Sequence, residues 1–222
     1  MDYIRPNGGI VLANPNAPTG IALSRSQIRS LLEKCPTSVV VIDEAYVDFG
    51  ADSVVSLVNE FPNLLVIQTV SKSRALAGLR VGFAIGNVNL IDALNIVKGC
   101  FNSYPLDRFA LAGAEAAICD ISHFDAARQQ VVDSREWLKI QLVDLGFSVL
   151  PSKANFLFVM HKLQPAQEIQ HRLRQRNILV RYFPEPRISD FLRISIGAAE
   201  QCETLVHALR EIIVSDTSDI TC

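Results

Sequence analysis

TVSKSRALAGLRVG (Thr69–Gly82) places a lysine, Lys72, just beyond an apolar strand, with small hydroxyls around it and Arg80 eight residues further on. A lysine amine in that position can form an imine with a carbonyl compound. The hydroxyls of Thr69 and Ser71 and the guanidinium of Arg80 are groups that hold a phosphate. Taken alone, the stretch also fits a pair of ordinary surface cations, so its surroundings decide.

Four short runs, GIVLA (9–13), SVVVI (38–42), LLVIQ (64–68) and VGFAI (81–85), are apolar throughout rather than alternating. That pattern is expected of strands with both sheet faces covered. Between the first two, Ser24 and Gln27 form a capping box, and Ile28, Leu31, Leu32 and Cys35 recur at helical spacing before Pro36 stops the helix. Strand, helix, strand indicates an α/β layer built on a mainly parallel sheet. Leu106–Cys119 reads as an alanine-rich helix, and a long helix is expected from Phe124 to Leu145, ended by Gly146. Strands then follow at 147–150, 155–160, 178–183 and 191–196, with helices at 165–176 and 198–214, the pattern of a small α+β domain. Ser215–Cys222 is expected to be a frayed tail.

Composition narrows the function classes. The chain has 222 residues, 49% hydrophobic and 20% charged, with net charge −2 and no basic run that would draw it to nucleic acid or an anionic membrane. No apolar stretch reaches the ~18 residues of a membrane span, and the first residues lack the apolar core of a secretory signal. Cys35, Cys100, Cys119, Cys202 and Cys222 are odd in number and widely spaced, as in reduced thiols of a cytosolic protein. Four histidines without ligand spacing give no expectation of a metal site.

In open α/β sheets, ligands bind beyond the carboxyl ends of the strands. Asp43, in VIDEAY (41–46), stands at such an end, where a carboxylate needs a partner. A protonated pyridine nitrogen is one; the start of a helix is the plainer alternative. Tyr46 is placed to reach the same ligand through its hydroxyl, or simply to pack. NPNAPTG (14–20) ends the first strand in a rigid turn. A phosphate site, a lysine and a carboxylate at successive strand ends are what pyridoxal 5′-phosphate requires.

With these motifs in chain order, the sequence resembles the class I/II, fold-type I pyridoxal-phosphate-dependent aminotransferases. LVRYF (179–183) and DFLRISIG (190–197) are similar to the C-terminal region of the histidinol-phosphate aminotransferases within that group. The resemblance implies that Lys72 is the cofactor-linking lysine and proton carrier. It implies that Asp43 pairs with the pyridinium, that Tyr46 pairs with the ring hydroxyl, and that Thr69, Ser71 and Arg80 hold the phosphate. It further implies that Arg193 clamps a carboxylate, that Arg181 meets the phosphate of a phosphorylated amine substrate, and that Asn155 and Tyr104 line the site. Glutamate and 2-oxoglutarate are the implied amino partners, and a cytoplasmic homodimer is the implied assembly. On the same basis 1–123 is the C-terminal part of a cofactor-binding large domain, 124–146 a connecting helix and 147–222 the small domain.

Two departures stand out. Where relatives carry an asparagine before the second proline of the loop, this chain has Ala17, and the neighbouring Asn16 is the candidate replacement. Relatives also carry more than about a hundred residues before this loop, including three strands of the sheet, whereas Met1 lies 13 residues before Asn14. The fold expected is therefore a truncated fold-type I large domain with its small domain. A phosphate-recognising decarboxylase of the same family, such as threonine-phosphate decarboxylase, or an inactive aminotransferase-like interaction module are the competing expectations.

Overall fold

The computed structural model describes residues 7–218, with side chains through Ile213. The expectations about the N-terminal signal and the thiol of Cys222 fall outside the described residues. The chain forms two compact units. One comprises the residues through Asn16 together with Ala22–Arg128, and the other Ala17–Ile21 together with the chain from Gln129 on.

The first unit is built on a four-stranded sheet of β1 (Ile10–Ala13), β2 (Val40–Asp43), β3 (Leu64–Thr69) and β4 (Gly82–Gly86), in that order. β1, β2 and β3 run parallel and β4 is antiparallel to β3. A parallel return needs a long crossover, usually a helix. The segment from Val70 to Val81 holds only a 3-10 turn at Ala77–Leu79, and the chain comes back antiparallel. Helix α1 (Arg25–Lys34) begins with the expected capping box of Ser24 and Gln27. Its Ile28 and Leu32 are fully buried against Val40, Ile42, Leu64 and Val66. Each such side chain contributes about 1.5–3 kcal/mol.

That face of the sheet is well covered, and the expectation of two buried faces is corrected in part: on the other face Leu65 is buried, while the residues beside it are half-buried or exposed. Val11, on the opposite face, is 77% exposed. The apolar strands are written for two layers, and the described residues supply one and part of the other. An unanticipated helix, α2 (Val88–Phe101), follows β4, capped by Asn87, and none of its residues is buried. Its apolar residues lie all round the helix instead of forming a stripe, so periodicity does not reveal it. Helix α3 (Arg108–Cys119) starts at the Asp107 cap. Its Ala110 and Ala114 pack with Val70, Val81, Leu76 and Leu79, directly under the Lys72 segment.

Helix α4 (Ile121–Asp144) carries the chain into the second unit. There β5 (Phe147–Val149), β6 (Phe156–His161), β7 (Arg181–Tyr182) and β8 (Leu192–Ser195) form an antiparallel sheet of order β5-β6-β8-β7. Helices α5 (Ala166–Gln175) and α6 (Ala199–Ser218) cover it around Leu157, Val159, Ile169, Leu173, Leu209 and Ile212. β7 is shorter than the sequence predicts, two residues within the expected 178–183. The frayed tail is also corrected, since α6 continues through Ser218; Asp219–Cys222 lie outside the described residues.

His161 gives this unit a pH dependence. Its Nδ1 accepts from Leu163 N at 3.3 Å and its Nε2 lies 3.2 Å from the Leu145 carbonyl, an arrangement that suits the neutral ring. Burial lowers its pKa below the usual 6.5, opposed by the bond to Leu145. The native state therefore binds fewer protons than the unfolded chain. Its contribution is full above pH 6.5 and is lost as pH falls through the lowered value. Between about pH 7 and 5 the melting temperature of the second unit is expected to fall less steeply in His161→Gln than in the wild type.

Candidate functional site

The carboxyl ends of β2 and β3 bring the first group of candidates together. Asp43 is the last residue of β2 and Thr69 the last of β3. Asp43 is in register with Ile67, and because alternate residues share a face, Asp43 and Thr69 project from the same side of the sheet. Asp43 is half-buried, and its Oδ1 accepts Ala45 N at 2.9 Å. Its Oδ2 makes no hydrogen bond among the described residues.

Thr69 Oγ1 donates to the Val81 carbonyl at 2.8 Å, accepts Ser71 N at 3.1 Å and lies 2.8 Å from Ser71 Oγ. The two hydroxyls are thereby held side by side at the start of the turn. Lys72 follows, exposed, with Nζ 5.4 Å from the centroid of the Tyr46 ring. Among the described residues no carboxylate pairs with it. Arg80 is exposed, donates to the Ala77 carbonyl at 2.8 Å and sits in the left-handed region with φ 58°.

The segment around Lys72 is anchored on both sides by residues that the sequence does not single out. The Ser73 hydroxyl donates to Asp48 in the turn after Tyr46. The Arg74 guanidinium lies 3.8 Å from the Phe124 ring centroid and donates to the Ala117 carbonyl near the end of α3. Ala75, with φ 55°, closes a tight turn by donating its N–H to the Lys72 carbonyl at 3.1 Å. Left-handed backbone at two non-glycine residues, Ala75 and Arg80, costs about 1–3 kcal/mol each. Such strain is kept where the surroundings over-determine it, and here both residues lie in the turn that follows the lysine.

The donor set fits a phosphorylated, cationic-ring aldehyde: one primary amine free of carboxylates, one carboxylate with an available oxygen, adjacent hydroxyls and a guanidinium. Asn16 belongs to the same unit and is half-buried. Asn14 is 1% exposed and is consumed structurally, accepting Leu23 N at 2.7 Å and donating to the Leu23 carbonyl at 3.2 Å. Tyr104 is 91% exposed, in the link between α2 and α3.

Arg181, Arg193 and Asn155 lie in the second unit. Arg181 and Arg193 are register partners on β7 and β8. Both stack near Phe183, at 5.5 and 5.9 Å, and Arg193 lies 5.2 Å from the Phe156 ring centroid. Neither guanidinium is paired with a described carboxylate, and Arg193 Nε is buried with no hydrogen-bond partner. Two neighbouring cations with an unsatisfied donor make a receptor for an anion. Asn155 accepts Ile196 N through its carbonyl at 2.9 Å. The preceding Ala154 carbonyl accepts from Arg135, a residue of α4 that is 3% exposed.

The chain is similar in sequence and fold to known proteins. The family model "Aminotransferase class I and II" matches residues 3–209. A histidinol-phosphate aminotransferase of Methylococcus capsulatus is 54% identical over 98% of this chain and 61% of its own length. A histidinol-phosphate aminotransferase of Sinorhizobium meliloti, solved in complex with pyridoxal-5′-phosphate, superposes with a TM-score of 0.85 at 26% identity, covering 94% of this chain and 58% of that one. L-threonine-O-3-phosphate decarboxylase of Porphyromonas gingivalis shares the fold, with a TM-score of 0.77 at 23% identity over 91% of this chain and 63% of that one. The chain spans about 60% of the length of the curated relatives it matches.

Proposed function

We propose, from the premise that this chain belongs to the class I and II aminotransferase family, that it carries the cofactor cradle and substrate arginines of an enzyme transaminating histidinol phosphate with 2-oxoglutarate. The observation that carries the reading is the placement of Asp43, Thr69, Ser71 and Lys72 at adjoining strand ends, with the first two on one face. Pyridoxal phosphate, when bound, supplies an electron-withdrawing ring that stabilises negative charge on the carbon bearing the substrate amine.

In this reading Asp43 holds a positive ring nitrogen through its available oxygen, and Tyr46 meets the ring hydroxyl. Thr69, Ser71 and Arg80 bind the phosphate, and Asn16 takes the place of the asparagine absent at Ala17. Lys72 Nζ is the covalent anchor and then the base that takes the proton from the substrate's reacting carbon. No carboxylate among the described residues competes for that amine. Arg181 receives the substrate phosphate and Arg193 the carboxylate of glutamate or 2-oxoglutarate, with Asn155 and Tyr104 at the margins. The exposed apolar residues of α2, such as Ile96, Val97 and Phe101, fit a subunit interface, and a cytoplasmic homodimer is part of this proposal. The chain through residue 123 is read as the cofactor-binding part, 124–146 as the connecting helix and 147–222 as the small domain.

The experiment is a transamination assay with histidinol phosphate and 2-oxoglutarate, with product analysis for glutamate and for carbon dioxide from O-phosphothreonine. Glutamate formation supports the reading, and loss of carbon dioxide from O-phosphothreonine identifies a decarboxylase instead. Arg181→Gln removes a charge-assisted bond worth about 1.5–3 kcal/mol. It is expected to raise KM for histidinol phosphate roughly 10- to 150-fold, while KM for 2-oxoglutarate changes little.

A further inference from the structure

Glu44 is the most thoroughly engaged polar residue beside the cradle, yet it faces away from it. It is 2% exposed. Its Oε1 accepts Val54 N at 2.6 Å, and its Oε2 accepts the Ser53 hydroxyl at 2.7 Å and Gln68 Nε2 at 2.8 Å. Its N–H donates to the Ile67 carbonyl at 2.8 Å, and its own carbonyl accepts Val47 N at 3.1 Å. One residue thus ties the end of β2 to β3, to the turn after Tyr46 and to the loop at Ser53–Val54.

Its sequence neighbours give this node a role beyond the fold. Asp43 precedes Glu44 and Thr69 follows Gln68. Side chains alternate across a strand, so the Glu44–Gln68 bond lies on one side of the sheet while Asp43 and Thr69 project from the other. We infer that Glu44 is a positioning residue which, through Gln68, sets the separation of Asp43 and Thr69 and so matches the ring-nitrogen and phosphate ends of the cradle to one ligand. This rests on the reading of the site as a pyridoxal phosphate cradle. A buried carboxylate suits the task because three donors converge on it. An amide at this position has one acceptor oxygen and presents its NH2 to donors it cannot satisfy.

The test uses the full chain and pyridoxal phosphate itself, comparing wild type, E44Q and the double variant E44Q/Q68E. Three quantities are followed: the dissociation constant for the cofactor, the pH midpoint of the visible absorption of the bound cofactor, and the melting temperature. E44Q is expected to weaken cofactor binding about tenfold or more, the effect of displacing one end of the cradle so that a charge-assisted bond to the ligand is lost. It is also expected to shift the pH midpoint. In E44Q/Q68E the amide introduced on β2's end donates to the carboxylate introduced on β3 and still accepts Val54 N, so affinity and midpoint return toward wild type. If E44Q lowers the melting temperature but leaves affinity and midpoint unchanged, Glu44 only braces the fold and the inference is overturned.

A separate result marks failure of the underlying reading: no borohydride-trapped cofactor label on Lys72 in the wild type. The geometry is then judged by amide exchange in peptides covering 43–49 and 67–72. Faster exchange confined to both in E44Q upholds the spacing role, and unchanged protection rejects it.

Discussion

Lys72→Ala is expected to leave the chain folded and to abolish both the covalent capture of pyridoxal phosphate and transamination. Lys72 is exposed and contributes no ion pair among the described residues, so its loss removes little from stability. What is lost is a covalent anchor and a proton carrier in one atom. Removal of a positioned proton-transfer group alone costs roughly 10²–10⁴-fold in rate, and the lost anchor adds to that. Other lysines do not compensate, because Ser73–Asp48 and Arg74–Ala117 fix the turn that presents this position and no other. Borohydride trapping followed by peptide mapping checks the result. Label on the variant at another lysine, with activity retained, would remove Lys72 from its role. Circular dichroism of the variant should match the wild type.

Asp43→Ala is expected to be the next most damaging change, and to act on affinity as well as rate. The carboxylate stands half-buried at the end of β2, its Oδ1 committed to Ala45 N and its Oδ2 available. A charge-assisted bond to a ring nitrogen is worth about 1.5–3 kcal/mol. Cofactor affinity should therefore fall roughly 10- to 150-fold. Rate should fall further, because a ring whose nitrogen is not held protonated withdraws electrons poorly. Asp43→Asn separates the two effects, since it keeps the shape and the bond to Ala45 while removing the charge. Equal cofactor affinity and rate in wild type, D43A and D43N, measured by equilibrium dialysis and steady-state kinetics, would show that Asp43 is only a turn residue.

Much of this is legible in the sequence, for reasons that differ by element. Helix α1 is readable to its capping box because Ser24, Gln27 and the apolar stripe all point the same way. Asp43, Thr69 and Lys72 are readable because a strand end is where an α/β sheet exposes chemistry, and each follows closely on an apolar run. Helix α2 is not, since its apolar residues follow no period and only a partner surface can decide which of them are covered. Glu44 stands in plain sight beside Asp43, but its partners Ser53, Val54 and Gln68 are 9, 10 and 24 residues away. Only its position as a second acid at an apolar strand end hints at a buried network. Arg74 likewise needs Phe124, on a helix far along the chain from it.

The short detour of Ala17–Ile21 into the second unit constrains how this chain can be cut or recombined. Gly20 adopts φ 78°, and a Cβ there would stand 2.5 Å from Ser152 Oγ. Its carbonyl receives Lys153 N at 2.8 Å. A fragment starting at Gln129 therefore lacks the peptide that braces Ser152 and Lys153, just ahead of Asn155. Chimeras joined at Arg128 inherit the same defect, because the Gly20 loop and the Ser152 turn then come from different parents. The natural crossover unit for grafting the arginine-bearing sheet is discontinuous: the Ala17–Ile21 insert must travel with it.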